Sequence, residues 1–198
     1  MNRSEVNRII RAAQQCFKAN GWALPPEPKW DVTDFGLRNF SSTGLVLVNL
    51  AEEPEYCEKV MYATKNQQTP SHMHKKKKED IICRAGILAV RVWGQDPYGA
   101  SSQNGMEVRV NGVSALMASG QTISLQPGER ITIEPGMWHA FSPATAECII
   151  SEVSTANDDL NDNFFSDPLI GRFSEIKEDE PAIVNLVSDN IYEKRDLS

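Results

Sequence analysis

This 198-residue chain has only three histidines, and two of them stand one residue apart in His72-Met73-His74. Alternate residues of an extended segment share a face, so both rings can be presented to one point. Glu79 follows five residues after His74, and His139 closes the segment Pro135-Gly136-Met137-Trp138-His139 at the end of another predicted strand. Imidazoles joined by a carboxylate make a donor set for a divalent first-row metal. Four ligands, His72, His74, Glu79 and His139, would leave two positions of an octahedral site open, enough for a substrate to chelate through adjacent oxygens. Affinity order alone does not choose among Mn(II), Fe(II), Co(II), Ni(II) and Zn(II).

Two lysines could move protons beside such a site. Lys75 to Lys78 separate His74 from Glu79, and most of this run reads as a solvated turn. Where it is extended, Lys75, Lys77 and Glu79 share a side, which would put Lys77 near the metal. Lys59 shares a strand face with Cys57, Met61 and Ala63. Facing inward, it would sit among small and apolar groups with its pKa lowered by burial and by a nearby cation. With the faces reversed, it is a surface lysine.

The scaffold that must position these residues is rich in short strands. Runs at 44–50, 57–64, 80–84, 86–93, 106–110, 121–125, 130–134 and 146–153 have β character and are separated by turn residues, with Asn111-Gly112 the clearest hairpin signal. Strands this short and frequent predict an all-β sandwich or barrel over residues 44–153. Before them, Ser4 can cap a helix with Val6, Ile9, Ile10, Ala13, Cys16 and Phe17 at helical spacing, stopped at Gly21. Three prolines among residues 24–28 then impose an extended strap, so residues 1–40 read as helix and strap. Residues 154–198 turn acidic, but Phe164, Phe165, Leu169, Ile170, Phe173 and Ile176 carry too much apolar surface for a solvated tail, which predicts a wrap around the barrel, frayed from about Asp189. The whole chain, 1–198, reads as one domain.

Composition narrows the partners. The net charge of −7 opposes binding to a phosphate backbone or an anionic membrane surface. No apolar stretch approaches the ~20 residues of a membrane span, and the N-terminus has no signal core, so a cytoplasmic protein is expected. Cys16, Cys57, Cys83 and Cys148 lack CxxC spacing and read as reduced core residues.

The first segment, with Gly86 seven residues after Glu79, reads HxHx4Ex6G, and the second runs Gly128, Gly136, His139. This resembles the two motifs of the cupin superfamily, small antiparallel barrels of the double-stranded β-helix (jelly-roll) type. Glu134 stands where that family usually has proline, which is displaced here to Pro135, and Pro143 replaces a late asparagine. Cupins include enzymes and binding proteins, so an Fe(II) dioxygenase and a non-catalytic sugar-binding cupin stay open as alternatives. The runs YCEKVMYATKNQQTPSHMHKKKKEDIICRAG and ISEVSTANDDLNDNFFSDPLIGRF resemble the D-lyxose isomerase family of cupins, with the likeness spanning about Tyr56 to Glu180. The resemblance implies a metal-dependent aldose–ketose isomerase working through a cis-enediol, with a manganese-type ion, a small aldose or ketose as substrate, and a homodimer. It also implies an active-site role for Lys59 and a sugar site containing Asp158 and Arg172, with Glu152 a weaker candidate. In the wrap, Asp158, Asp159 and Arg172 are the polar residues expected over the barrel mouth, and Lys59, Lys77 and Asp158 are the proton-handling candidates.

Overall fold

The alternation along Tyr56–Thr64 decides which way the barrel faces. Met61 and Ala63 enter a core together with Leu45, Ile81, Cys83, Val90, Val92, Ile131, Phe141 and Ile150, while Val60 and Tyr62 enter a second core on the opposite side of the sheet. Lys59 has the parity of Met61 and is therefore carried inward. The structure, a computed structural model, describes residues 1–98, 105–155, 158, 161–171 and 175–189.

In chain order, the helix α1 (Arg3–Ala19) and β1 (Lys29–Thr33) precede a short helix, α2 (Phe40–Thr43), and the strands β2 (Leu45–Glu52), β3 (Tyr56–Thr64), β4 (His72–Met73), β5 (Glu79–Ala85) and β6 (Leu88–Trp93). They are followed by β7 (Gly105–Val110), β8 (Val113–Ala118), β9 (Thr122–Leu125), β10 (Arg130–Ile133), β11 (Trp138–Pro143), β12 (Glu147–Thr155) and β13 (Phe164–Phe165). Among the described residues, the strands form an eight-stranded sheet, β1-β2-β3-β12-β5-β10-β7-β8, and a five-stranded sheet, β13-β4-β11-β6-β9. Strands from both contribute to the first core, which makes the molecule the two-sheet cupin barrel that the motifs imply. The four cysteines are buried and free, as expected.

The second core lies outside the larger sheet. Val6, Ile9, Ile10, Ala13, Cys16 and Phe17 of α1 cover Trp30, Val32, Val46, Val48 and Val60, and Phe17 meets Trp30 and Tyr62 at ring distances of 6.3 and 6.5 Å. The helix begins two residues earlier than Ser4 would allow as a cap. Asn2 takes the cap position without a side-chain bond, and Ser4 gives its amide and hydroxyl to Asp179 in the C-terminal wrap. That wrap also pairs Glu178 and Asp189 with the buried guanidinium of Arg3. Among the described residues, no helix is long and apolar enough to cross a membrane.

Three elements differ from the sequence-based expectation. The strap ends at Pro28, after which β1 pairs with β2 from Lys29↔Asn49 to Thr33↔Leu45. Its pattern of alternation is masked because both faces are covered, Trp30 and Val32 by the helix and Asp31 and Thr33 within the barrel. The Asn111-Gly112 turn forms, with φ of 53° and 82°, but its second arm, β8, is nearly all exposed and lacks a buried face to announce it. His139 lies at the start of β11 and not at the end of a strand. The fraying expected beyond Asp189 concerns residues outside those described.

Candidate metal centre

Two turns bring the histidine segments together. Glu134-Pro135-Gly136-Met137 closes with the Met137 amide donating to the Glu134 carbonyl at 3.1 Å, and Gly136 has φ of +84°. Proline followed by a residue of positive φ is the signature of a type II turn, so the displaced Pro135 fits the turn that is built. The Gly136 amide donates to the His74 carbonyl at 2.7 Å, tying the second motif to the first. At Gly86, φ is +80° and a Cβ would meet the Glu147 carbonyl oxygen at 2.4 Å, so both conformation and space require glycine.

His72 pairs directly across from His139 on β11, and one donor atom from each of His72, His74, Glu79 and His139 falls within 4.8 Å of the others. Each imidazole turns its Nδ1 to a main-chain carbonyl: His72 to Pro70 at 3.0 Å, His74 to Asp162 at 2.6 Å and His139 to Met137 at 3.3 Å. A carbonyl only accepts, so Nδ1 carries the proton and Nε2 presents a lone pair. His139 Nε2 and His74 Nε2 lie 2.9 and 3.7 Å from Glu79 Oε1, yet all three atoms are buried without a hydrogen-bond partner. Converging lone pairs of this kind could hold a cation, and the donor set suits a divalent one.

The electrostatics agree. Burial lowers the pKa of His72 far below its usual value and, less strongly, that of His74, which keeps both rings neutral and available as ligands. Burial would raise the Glu79 carboxyl, but the Lys77 ammonium, 2.8 Å from Oε2, and the His139 and His74 rings together outweigh it and hold the group well below the usual carboxylate range.

The cavity beside this cluster, about 90 Å³, is lined by Lys59, Lys77 and Glu152 along with Asp31, Thr33, Phe35, Leu47, Met61, Asn163 and Phe165. Lys59 and Glu152 are register partners on β3 and β12, so both point inward and both are buried. Glu152 Oε1 receives Lys77 Nζ at 2.9 Å and Ser154 Oγ at 2.9 Å, with Lys59 Nζ at 3.8 Å. Lys77 thus stands between two carboxylates, one in the metal cluster and one on the cavity wall. It comes inward through a turn and not through the strand alternation that the sequence suggested.

Of the other candidate residues, Asp158 is not brought to the cavity. It is exposed, and its carboxylate accepts from the Asn161 amide at 3.1 Å and from Asn161 Nδ2 at 2.9 Å, the turn-capping role common for aspartate. Asp159 and Arg172 lie outside the described residues. Sequence reasoning missed Asp31 and Thr33, hidden in a strand without visible alternation, and Asp162, which looked like one more acid in an acidic stretch. Phe165, one of the apolar residues expected to hold the wrap on the barrel, packs 5.6 Å from the His72 ring and 6.0 Å from Phe35, as a wall of the cavity.

Fold and site together define a cupin with a four-residue His/Glu cluster that could hold a divalent metal, opening on a polar, lysine-flanked cavity. The fold matches that of Acinetobacter sp. DL28 L-ribose isomerase in complex with L-ribose, with a TM-score of 0.69 at 15% identity over 89% of this chain and 98% of that one. The chain belongs to the D-lyxose isomerase family, whose sequence profile matches residues 27–190. It is 33% identical to the D-lyxose/D-mannose isomerase of Escherichia coli O157:H7 over 96% of this chain and 98% of the relative. It is 34% identical to the D-lyxose/D-mannose isomerase of Serratia proteamaculans over 91% and 94% of the two chains.

Proposed function

We propose that this protein is a metal-dependent aldose–ketose isomerase that interconverts D-lyxose with D-xylulose and D-mannose with D-fructose. The observation that carries the reading is the adjacency of four convergent lone-pair donors to the buried array Lys59, Glu152 and Lys77. Family membership and two relatives named D-lyxose/D-mannose isomerase support the substrate class. His72, His74, Glu79 and His139 would hold the ion, which when bound supplies Lewis-acid polarisation of the sugar carbonyl and so acidifies the neighbouring C–H.

The chain's own groups then move the protons. Glu152, with Oε1 fixed by Lys77 and Ser154, takes the proton from C2 of the aldose and returns it to C1. Lys59 gives a proton to the former carbonyl oxygen and accepts one from O2 as the enediol collapses to the ketose. Lys77 bridges Glu152 and Glu79. Phe35 and Phe165 shield the cavity from water, and Asp158 is left out of the proton-handling set. Lyxose and mannose share the same C2 and C3 configuration, so one pose aligns both with the base, whereas inversion at C2 misaligns O2 or the transferred proton. His72, His74, Glu79 and His139 would hold a manganese-type ion, and the family resemblance supports a homodimer and a sugar contact from Arg172. The charged N-terminus supports a cytoplasmic location, and the polar character of the wrap supports a sugar contact from Asp159.

The test is to load the protein with Mn(II) and follow D-lyxose, D-mannose, D-xylose and D-glucose in deuterated water under nitrogen. Expected are D-xylulose and D-fructose from the first two sugars, with solvent deuterium at the transferred position. Retention of all substrate hydrogen would replace proton transfer by a hydride shift. A requirement for oxygen would replace isomerisation by oxidation.

A further inference from the structure

We propose that Asp162 is a positioning residue that holds the turn of Lys75 to Lys77 so that Lys77 stands between Glu79 and Glu152. The inference rests on the proton-handling role given to Lys77 above. Four consecutive lysines repel one another and have no apolar side to choose an inward direction. Only one of them goes in. Lys75 Nζ lies 4.2 Å over the Phe164 ring, Lys78 Nζ pairs with Glu134 at 2.7 Å, and Lys77 is 5% exposed with its ammonium on the two buried carboxylates.

What selects Lys77 is the main chain. Three successive amides converge on the Asp162 carboxylate: Lys75 donates to Oδ1 at 2.9 Å, Lys76 to Oδ1 and Oδ2 at 3.2 and 3.1 Å, and Lys77 to Oδ2 at 2.9 Å. Successive amides turned to one side form an anion-binding nest, and here the anion is a buried side chain from the C-terminal wrap, 85 residues beyond Lys77 in the chain. The nest fixes the turn's direction and so decides which side chain enters the cavity. Asp162 also accepts His74 Nδ1 at 2.6 Å, but through its main-chain carbonyl. Side chain and main chain of one residue therefore serve Lys77 and the metal ligand separately, and a substitution can perturb the first while leaving the second in place.

Asp162→Asn puts an amide NH2 against amide donors and breaks the nest. In the metal-loaded protein without sugar, hydrogen exchange at the Lys75 to Lys77 amides should accelerate by at least about tenfold. Bound metal per chain should stay at the wild-type level, because the His74 contact is with the backbone. In the isomerase assay, kcat should fall about 10- to 100-fold with little change in KM, and Lys77→Met added to Asp162→Asn should cost almost nothing more. Should the Asn variant not fold, Asp162→Glu, which keeps the charge but displaces it by one methylene, is expected to show the same pattern at smaller size. Unchanged amide exchange, or losses from the two substitutions that multiply, would overturn the proposal. A wild-type protein that turns over none of the sugars would refute the reading of the site but not the positioning role, which the exchange experiment decides by itself.

Discussion

Glu152→Gln tests the central arrangement most directly, because it keeps shape and removes one buried charge shared by two ammonium groups. Lys77 Nζ lies 2.9 Å and Lys59 Nζ 3.8 Å from Glu152 Oε1, with all three side chains at most 7% exposed. At an effective dielectric of about 20, those separations correspond to about 6 and 4 kcal/mol of attraction before desolvation is counted. Desolvation cancels most of it, and removing one partner of a buried ion pair costs about 3–5 kcal/mol. Because Lys77 retains Glu79 at 2.8 Å, the lower end, about 3 kcal/mol, is expected, which for a chain of this size lowers Tm by about 6–12 °C. Loss of the base should lower kcat at least ~100-fold. Metal content should not change, since Glu79 and the imidazoles keep their own partners. The measurements are thermal unfolding of the apo and metal-loaded variant, elemental analysis, and ketose formation. A variant with unchanged Tm and near-normal kcat would refute both the shared-anion geometry and the assignment of the base, while loss of metal would relocate the effect to the ligand cluster.

His74→Ala should lose bound metal and turnover together, since it removes one of few protein ligands, and a full metal complement by elemental analysis would contradict the ligand set. Asp158→Asn should change kcat less than about threefold and stability by less than about 0.5 kcal/mol, as for a surface residue capping its own turn, and a ~100-fold loss of kcat would return it to the proton-handling set. Acid should destabilise the apo protein. The folded pKa values of His72 and His74 lie below 6.5, so the unfolded chain takes up protons first. Their contribution is present above pH 6.5 and is lost as pH falls, at up to about 1.4 kcal/mol per pH unit per histidine. Glu79 and Asp162, depressed below 4.5 and 3.8, extend the loss at lower pH. A Tm series in chelator that is flat between pH 7 and 5.5 would refute this.

The ligand cluster was legible because three of its members lie within eight residues, so local geometry nearly fixes their convergence. The α1 face was legible for the same reason. Burial of Val6, Ile9, Ile10, Ala13, Cys16 and Phe17 follows from a period of 3.6 within one segment. The Asn111-Gly112 turn needs nothing beyond its own two residues to favour positive φ.

Residues whose role depends on the other end of the chain were not legible in this way. Lys59 had two equal readings until packing on the outer face buried Val60 and Tyr62 under α1 and turned Lys59 into the barrel. Asp158 and Asp162 are both acids in one short stretch, and sequence alone gave no reason to prefer the second. Asp158 closes a turn on the surface, whereas Asp162 reaches amides more than eighty residues earlier in the chain. Asp31 and Thr33 acquire a cavity-facing side only because β1 joins the edge of the larger sheet. The sequence by itself determined the types and spacing of the His and Glu donors in the candidate metal cluster, the turns that hold them and the apolar stripe of the helix, since each is a property of neighbouring residues. Only the tertiary structure decided which lysine enters, which carboxylate receives it and which aspartate holds the turn, because a charge is buried where a distant partner compensates it.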